Sequence, residues 1–146
     1  MEYQLASADI ARALDVLAGD HERIARALAQ VGYPQERRRD HSFATLARII
    51  VGQQVSVAAA TSITRRLVDT LDGDLCADSV LKCPDEDLRG AGLSRQKVSY
   101  MQSLATAEAS GQLSLPSLPE LPDDEAVATI TAIKGFGEWS AHMYLM

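Results

Sequence analysis

No apolar stretch in the 146 residues approaches the roughly twenty that a bilayer crossing requires. The first residues, Met-Glu-Tyr-Gln, lack the basic and apolar regions of a secretory signal. The expectation is a protein with no membrane association that works in the cytoplasm. Cysteine is scarce: Cys76 and Cys83 are the only two. They are too few for a four-thiolate zinc or iron–sulfur site and wrongly spaced for a zinc knuckle, so reduced, half-buried thiols are expected. There is no internal repeat, no low-complexity tract and no sustained alternation of apolar with polar residues, which argues against repeat architectures, disordered tails and half-buried strands. A positive excess is missing too. The net charge of −6 and pI near 5.0 argue against a protein that coats nucleic acid indiscriminately, while leaving room for a local basic face.

What is present points to an all-α fold. Hydrophobic residues make up 47% of the chain, enough for a core, and the length suits one domain over residues 1–146. Apolar residues recur at spacings of three and four between Gly and Pro punctuation. Ser7 and Asp20 are placed to cap the first two helices, the second stopping at Gly32. Ser42 caps an apolar helix with Phe43, Leu46, Ile49 and Ile50, ending at Gly52. Ser56 then caps a long helix, leaving Gln53 and Gln54 at an exposed corner between the two. Asp78 and Asp85 open short helices, Ser94 caps one that runs to Gly111, Pro116, Pro119 and Pro122 mark an extended link, and Asp123 caps the next helix. Basic residues gather at Arg37, Arg38 and Arg39, at Arg65 and Arg66, and at Arg95 and Lys97. Acidic runs lie elsewhere, a separation that suits one DNA-facing side or simply solvated faces.

The most telling segment is Ile130-Thr-Ala-Ile-Lys-Gly-Phe-Gly-Glu-Trp-Ser-Ala141. Two glycines one residue apart, between helical patterns, describe a hairpin in which Gly135 and Gly137 permit positive φ. The helix from Glu138 to Met146 then begins with unpaired N–H groups and the positive end of its dipole. Such a turn can hold a phosphate and so grip nucleic acid regardless of base sequence. The same pattern also serves many helical corners only to reverse the chain.

In this order the segments resemble the helix-hairpin-helix DNA glycosylases of the HhH-GPD superfamily, specifically the 3-methyladenine DNA glycosylase II branch. The resemblance spans Phe43 to Met146. It rests on Phe43-Ala-Thr-Leu-Ala-Arg-Ile-Ile-Val-Gly-Gln-Gln-Val-Ser56, on Leu88-Arg-Gly-Ala-Gly-Leu-Ser94, on Lys97 with Tyr100 and Leu104-Ala105, and on Ile133-Lys-Gly-Phe-Gly-Glu-Trp-Ser-Ala141.

The resemblance implies a multi-helix glycosylase-like domain that hydrolyses the N-glycosidic bond of alkylated purines such as 3-methyladenine. Its partner would be double-stranded DNA, engaged as a monomer, at the nucleoid in a bacterium. It implies phosphate contacts from Gly135, Phe136, Gly137, Lys134 and Lys97. It also implies a monovalent cation, K⁺ or Na⁺, on the backbone carbonyls of Thr131, Ile133 and Phe136, with no cofactor for the chemistry. Gln53 and Gln54 fall where the family fills the hole left by a flipped nucleotide, Gln54 resembling the wedge; the competing role is that both amides cap helix ends. Trp139 stands where strand-cutting relatives carry a Schiff-base lysine, so water is the implied nucleophile. Its indole would stack on a cationic alkylated base, with Met143 on the same wall, unless it is ordinary core.

One family feature is missing. The catalytic aspartate is expected about twenty residues past the tryptophan position, beyond Met146, so no catalytic residue is assigned within these residues. Asp123, Asp124 and Glu125 read as a helix cap. On this reading the chain is an incomplete domain that binds DNA weakly and excises nothing. A non-catalytic helix-hairpin-helix module that senses distorted duplex is the alternative.

Overall fold

A computed structural model describes residues 6–35 and 40–145. The chain forms two compact units, residues 1–39 and 40–146. The basic run Arg37–Arg39 lies outside the described residues, as does Met146.

In the first unit α1 (Ser7–Asp20) packs on α2 (Glu22–Val31), and no residue of either helix is buried. Asp20 does not cap α2. It remains in α1, and His21, extended at φ −133°, is the single residue between the helices. Tyr33 donates its phenolic hydrogen to Asp15, tying the segment after α2 back to α1.

The second unit is built around α3 (Phe43–Gly52), seven of whose ten residues are buried. α3 packs against α4 (Val57–Thr70), α7 (Arg95–Ala109) and α9 (Glu138–Leu145). With apolar residues on nearly all sides, α3 has the composition of a central helix rather than an amphipathic surface one. Two short helices, α5 (Ala77–Lys82) and α6 (Asp85–Gly90), pack on α7, and α8 (Asp123–Thr131) packs on α9. Leu46, Ile50, Leu67, Leu88, Met101, Leu104 and Ile130 are fully buried at the centre. Among the described residues there is no strand, and no helix is long and apolar enough to cross a membrane.

Local chemistry explains most boundaries. The hydroxyls of Ser42, Ser56 and Ser94 accept from the amides of Thr45, Ala59 and Lys97 at 3.3, 3.2 and 3.2 Å, caps worth about 1 kcal/mol each. Asp78 is not a cap: it sits in the first turn of α5, where its charge suits the dipole and pairs with Lys82, and Cys76 takes the cap position. Asp85 and Asp123 are likewise first residues of their helices, behind Pro84 and Pro122. The proline-spaced segment is not extended but forms a 3₁₀ helix, Leu115–Glu120. Proline's fixed φ and missing donor suit such a short turn, and Leu115 and Leu118 bury one side of it. Both thiols are free and half-buried, and burial pushes the Cys83 thiol up.

Candidate nucleic-acid interface

The turn between α8 and α9 is anchored from below. Ile133 and Phe136 are buried, while Lys134 and Gly137 face solvent. The Ile133 amide donates to the Ile130 carbonyl, and the Phe136 amide donates to the Ile133 carbonyl, each at 3.1 Å. The Gly137 carbonyl accepts from Ala141 at 3.0 Å, opening α9. Among the described residues, the amides of Gly135, Gly137, Glu138 and Trp139 have no acceptor within the protein. A buried donor in that state would be costly, so these groups are set to meet water or a ligand.

The two glycines differ. Gly135 has φ +99°, and a Cβ there would run into the Tyr100 ring. Gly137, expected to share the positive φ, does not; a Cβ on it would meet nothing of the protein within 4 Å. The fold itself demands glycine at 135 only. At 137 the glycine leaves open space above the unpaired amides. Phe136 also departs from its expected phosphate contact, because its amide is spent inside the turn and its ring is an anchor.

Gln53 and Gln54 have separated roles. The Gln53 amide nitrogen donates to the Gly135 carbonyl at 2.8 Å, across 82 residues of sequence, so Gln53 is committed to the hairpin and does not project as a wedge. Gln54 is exposed and left-handed at φ +55°, a conformation costing a non-glycine residue about 1 kcal/mol or more. Val55 and Val57 beside it are also exposed, Val57 at 85%. The corner therefore offers one amide side chain flanked by apolar surface.

Several of the basic residues are occupied. The Lys97 ammonium donates to the Val51 carbonyl at 2.7 Å, and burial holds its pKa below the usual lysine range. It thus closes the C-terminal end of α3, where the dipole favours a cation, in place of the expected phosphate contact. Arg66 similarly donates to the Ala91 carbonyl at 2.9 Å. Lys134, exposed beside the turn, donates to the Ser99 hydroxyl at 2.9 Å. Neither the Gln53 bond nor the Lys97 cap was found by sequence reasoning, since helical periodicity carries no signal for a partner in a distant turn.

Trp139, in the first turn of α9, is 69% exposed, which removes the ordinary-core reading. Met143, one turn on and half-buried, shares its side of the helix. Tyr144 is the buried counterpart of these two. Its ring meets His41 edge-on at 5.3 Å, its hydroxyl has no partner among the described residues, and burial aided by Glu108 pushes its pKa up to about 12.

No group of three or more His, Cys, Asp or Glu side chains among the described residues could hold a metal. The backbone offers different ligands. The carbonyls of Thr131 and Phe136 accept no hydrogen bond within the described protein, and that of Ile133 accepts only from Phe136. These oxygens fit a hard cation.

Residues 47–137 match the sequence profile of the HhH-GPD superfamily of base excision DNA repair proteins, and the chain belongs to that family. It is 33% identical over 115 residues to a DNA-3-methyladenine glycosylase of Saccharomyces cerevisiae, covering 71% of this chain and 38% of that protein. Among solved structures, it is similar to a Schizosaccharomyces pombe 3-methyladenine DNA glycosylase in complex with abasic DNA. The TM-score is 0.77 at 26% identity, covering 92% of this chain and 68% of that one. A DNA-3-methyladenine glycosidase of Bacillus halodurans superposes with a TM-score of 0.75, also at 26% identity, over 100% of this chain and 65% of that one. The chain spans between 37% and 60% of the length of the curated relatives it matches.

Proposed function

We propose that the chain is the DNA-gripping body of a monofunctional DNA glycosylase. The reaction is hydrolysis of the N-glycosidic bond of alkylated purines such as 3-methyladenine in double-stranded DNA, with the protein acting as a monomer at the chromosome, the nucleoid in a bacterium. The observation carrying this reading is the hairpin, where unpaired amides at Gly137, Glu138 and Trp139 stand at the N-terminus of α9 and that of Gly135 lies in the turn just before it. Those donors and the dipole hold a backbone phosphate without reading a base. Lys134 adds charge beside them, and a K⁺ or Na⁺ on the Thr131, Ile133 and Phe136 carbonyls would neutralise a further part of the phosphate charge.

Gln54 enters the duplex where the damaged nucleotide leaves, its amide replacing hydrogen bonds of the orphaned base. Trp139 and Met143 line the wall that meets the flipped base. Alkylation at purine N3 or N7 makes the base cationic, so an indole face favours it over a normal base, and the same charge weakens the bond to be cut. With an indole at 139 and no amine, water attacks the sugar and the strand stays intact.

A second reading has its own observation. Asp123, Asp124 and Glu125 are exposed in the first turn of α8, about 12 Å along the helix from the hairpin turn. Glu138 stands nearer, in the first turn of α9 among the unpaired amides, and a non-catalytic module that senses distorted duplex needs no carboxylate aimed at a sugar. The test of both is titration of the chain with an abasic-site duplex at rising salt. Weak binding at low salt that is lost as salt rises is expected, and no binding at low salt would remove the DNA reading altogether. Base release from alkylated duplex by the full gene product, which requires a carboxylate at the sugar, tells glycosylase from module.

A further inference from the structure

We infer that Gln53 is a positioning residue that couples the insertion corner to the phosphate clamp, making the grip on the strand and the placement of Gln54 a single event. This rests on the DNA-binding reading of the hairpin. The geometry is specific. Gln53 donates to the carbonyl of Gly135, the glycine at φ +99° whose Cβ position is occupied by the Tyr100 ring. Two residues upstream, Lys97 pins the Val51 carbonyl. Tyr100 and Lys97 both belong to α7, and Lys134 of the hairpin reaches Ser99 on that same helix. The corner is thus fastened at residues 51 and 53, and the next residue, Gln54, is held left-handed and exposed.

A left-handed non-glycine residue persists only where its surroundings over-determine it. The two fastenings supply that constraint. Without the Gln53 donor, Gln54 is free to relax to negative φ, which swings its side chain off the line of insertion. The hairpin keeps its own shape, since Tyr100 and the buried Ile133 and Phe136 hold it independently. The Gly135 carbonyl is the shared atom: the peptide that Gln53 grasps lies between the Gly135 and Gly137 amides, so a strand docked on those amides and the corner are held in one frame.

The experiment is an electrophoretic titration of abasic-site and undamaged duplexes against wild type, Gln53→Met, Gln54→Ala and the double variant, with the thermal midpoint of each. Methionine matches glutamine in length and cannot donate. The preference for abasic over undamaged duplex is expected to fall about fivefold in Gln53→Met, the scale of one neutral hydrogen bond, with Gln54→Ala falling as far and the double variant no further. A Gln53→Met protein that melts earlier yet keeps its preference has lost only a structural bond, and the coupling is overturned. Additive losses in the double variant overturn it as well, because they make the two glutamines independent. Failure of wild type to prefer the abasic duplex appears before any variant is compared, and it removes the DNA reading rather than the coupling alone.

Discussion

The hairpin turn and the α3–α4 corner meet through one hydrogen bond, from Gln53 to Gly135, yet they are built on opposite principles. The hairpin presents main chain: its side chains Ile133 and Phe136 point inward, and between the exposed Lys134 and Trp139 its amides are left unpaired. The corner presents side chains, with Gln54 and Val57 exposed above a backbone pinned from below. A phosphate is the same at every nucleotide, so rigid peptide donors suffice to hold it. A gap in the base stack must be entered, and only a projecting side chain reaches it. The lesson is that repeated chemistry is met by backbone and singular chemistry by side chain.

The largest expected effect breaks the hairpin side of this contrast. Gly135→Ala combines a forbidden φ with a clash against Tyr100, and a loss of about 2–4 kcal/mol in urea-unfolding stability is expected. Adding Tyr100→Ala should recover the steric part and leave the backbone part.

Next comes Trp139→Ala, which removes the one large side chain on the hairpin's exposed rim. Its expected signature is a loss of about 1–3 kcal/mol in binding to DNA bearing a flipped cationic base, the range of base–aromatic stacking. Stability should be nearly unchanged, because the indole is mostly in water. A large drop in melting temperature instead would return Trp139 to the core.

Gly137→Ala sharpens the comparison between the two glycines. A Cβ there meets nothing of the protein, so stability should stay within about 0.5 kcal/mol of wild type. Affinity for duplex is expected to drop about tenfold, roughly 1.4 kcal/mol, as the methyl occupies the approach to the amides. Equal affinity would mean the open space is not where a phosphate sits.

The smallest effect concerns the core that carries α9. The Tyr144 phenol has its pKa raised by burial to about 12, against about 10 in an unfolded chain. The folded state therefore keeps its proton longer. The stabilising contribution is complete below pH 10 and is lost as pH rises from about 10 through 12. Tyr33 is also raised, by its hydrogen bond to Asp15, so ultraviolet absorbance of phenolate should show late ionisation together with alkaline unfolding, and Tyr144→Phe should remove Tyr144's share of it.

Much of the fold is legible in the residues. Spacing of three and four marks the helices, and the caps at Ser42, Ser56 and Ser94 form as their local chemistry requires. Local signals fail where residue type alone is read: Asp20 and Asp78 suit a cap by type, but the chain turns at His21, which makes no side-chain cap, and at Cys76, whose sulfur accepts from Ser79. The site is legible in its outline, a Gly-x-Gly turn beside two glutamines. Its wiring is not. That Gln53 is tied and Gln54 free, that Lys97 closes α3, and that only one glycine is left-handed all depend on tertiary neighbours such as Tyr100 and Val51. Nothing in a residue's immediate sequence records those neighbours.

The exposure of Trp139 has a practical side. It is the only tryptophan in the chain and sits in the first turn of α9 with 69% of its surface in solvent. Intrinsic fluorescence therefore comes from one position at the rim of the clamp, emitting as a hydrated indole and sensitive to whatever stacks upon it. On the proposed reading the molecule would carry its own optical gauge of nucleotide arrival, legible in real time without an attached dye.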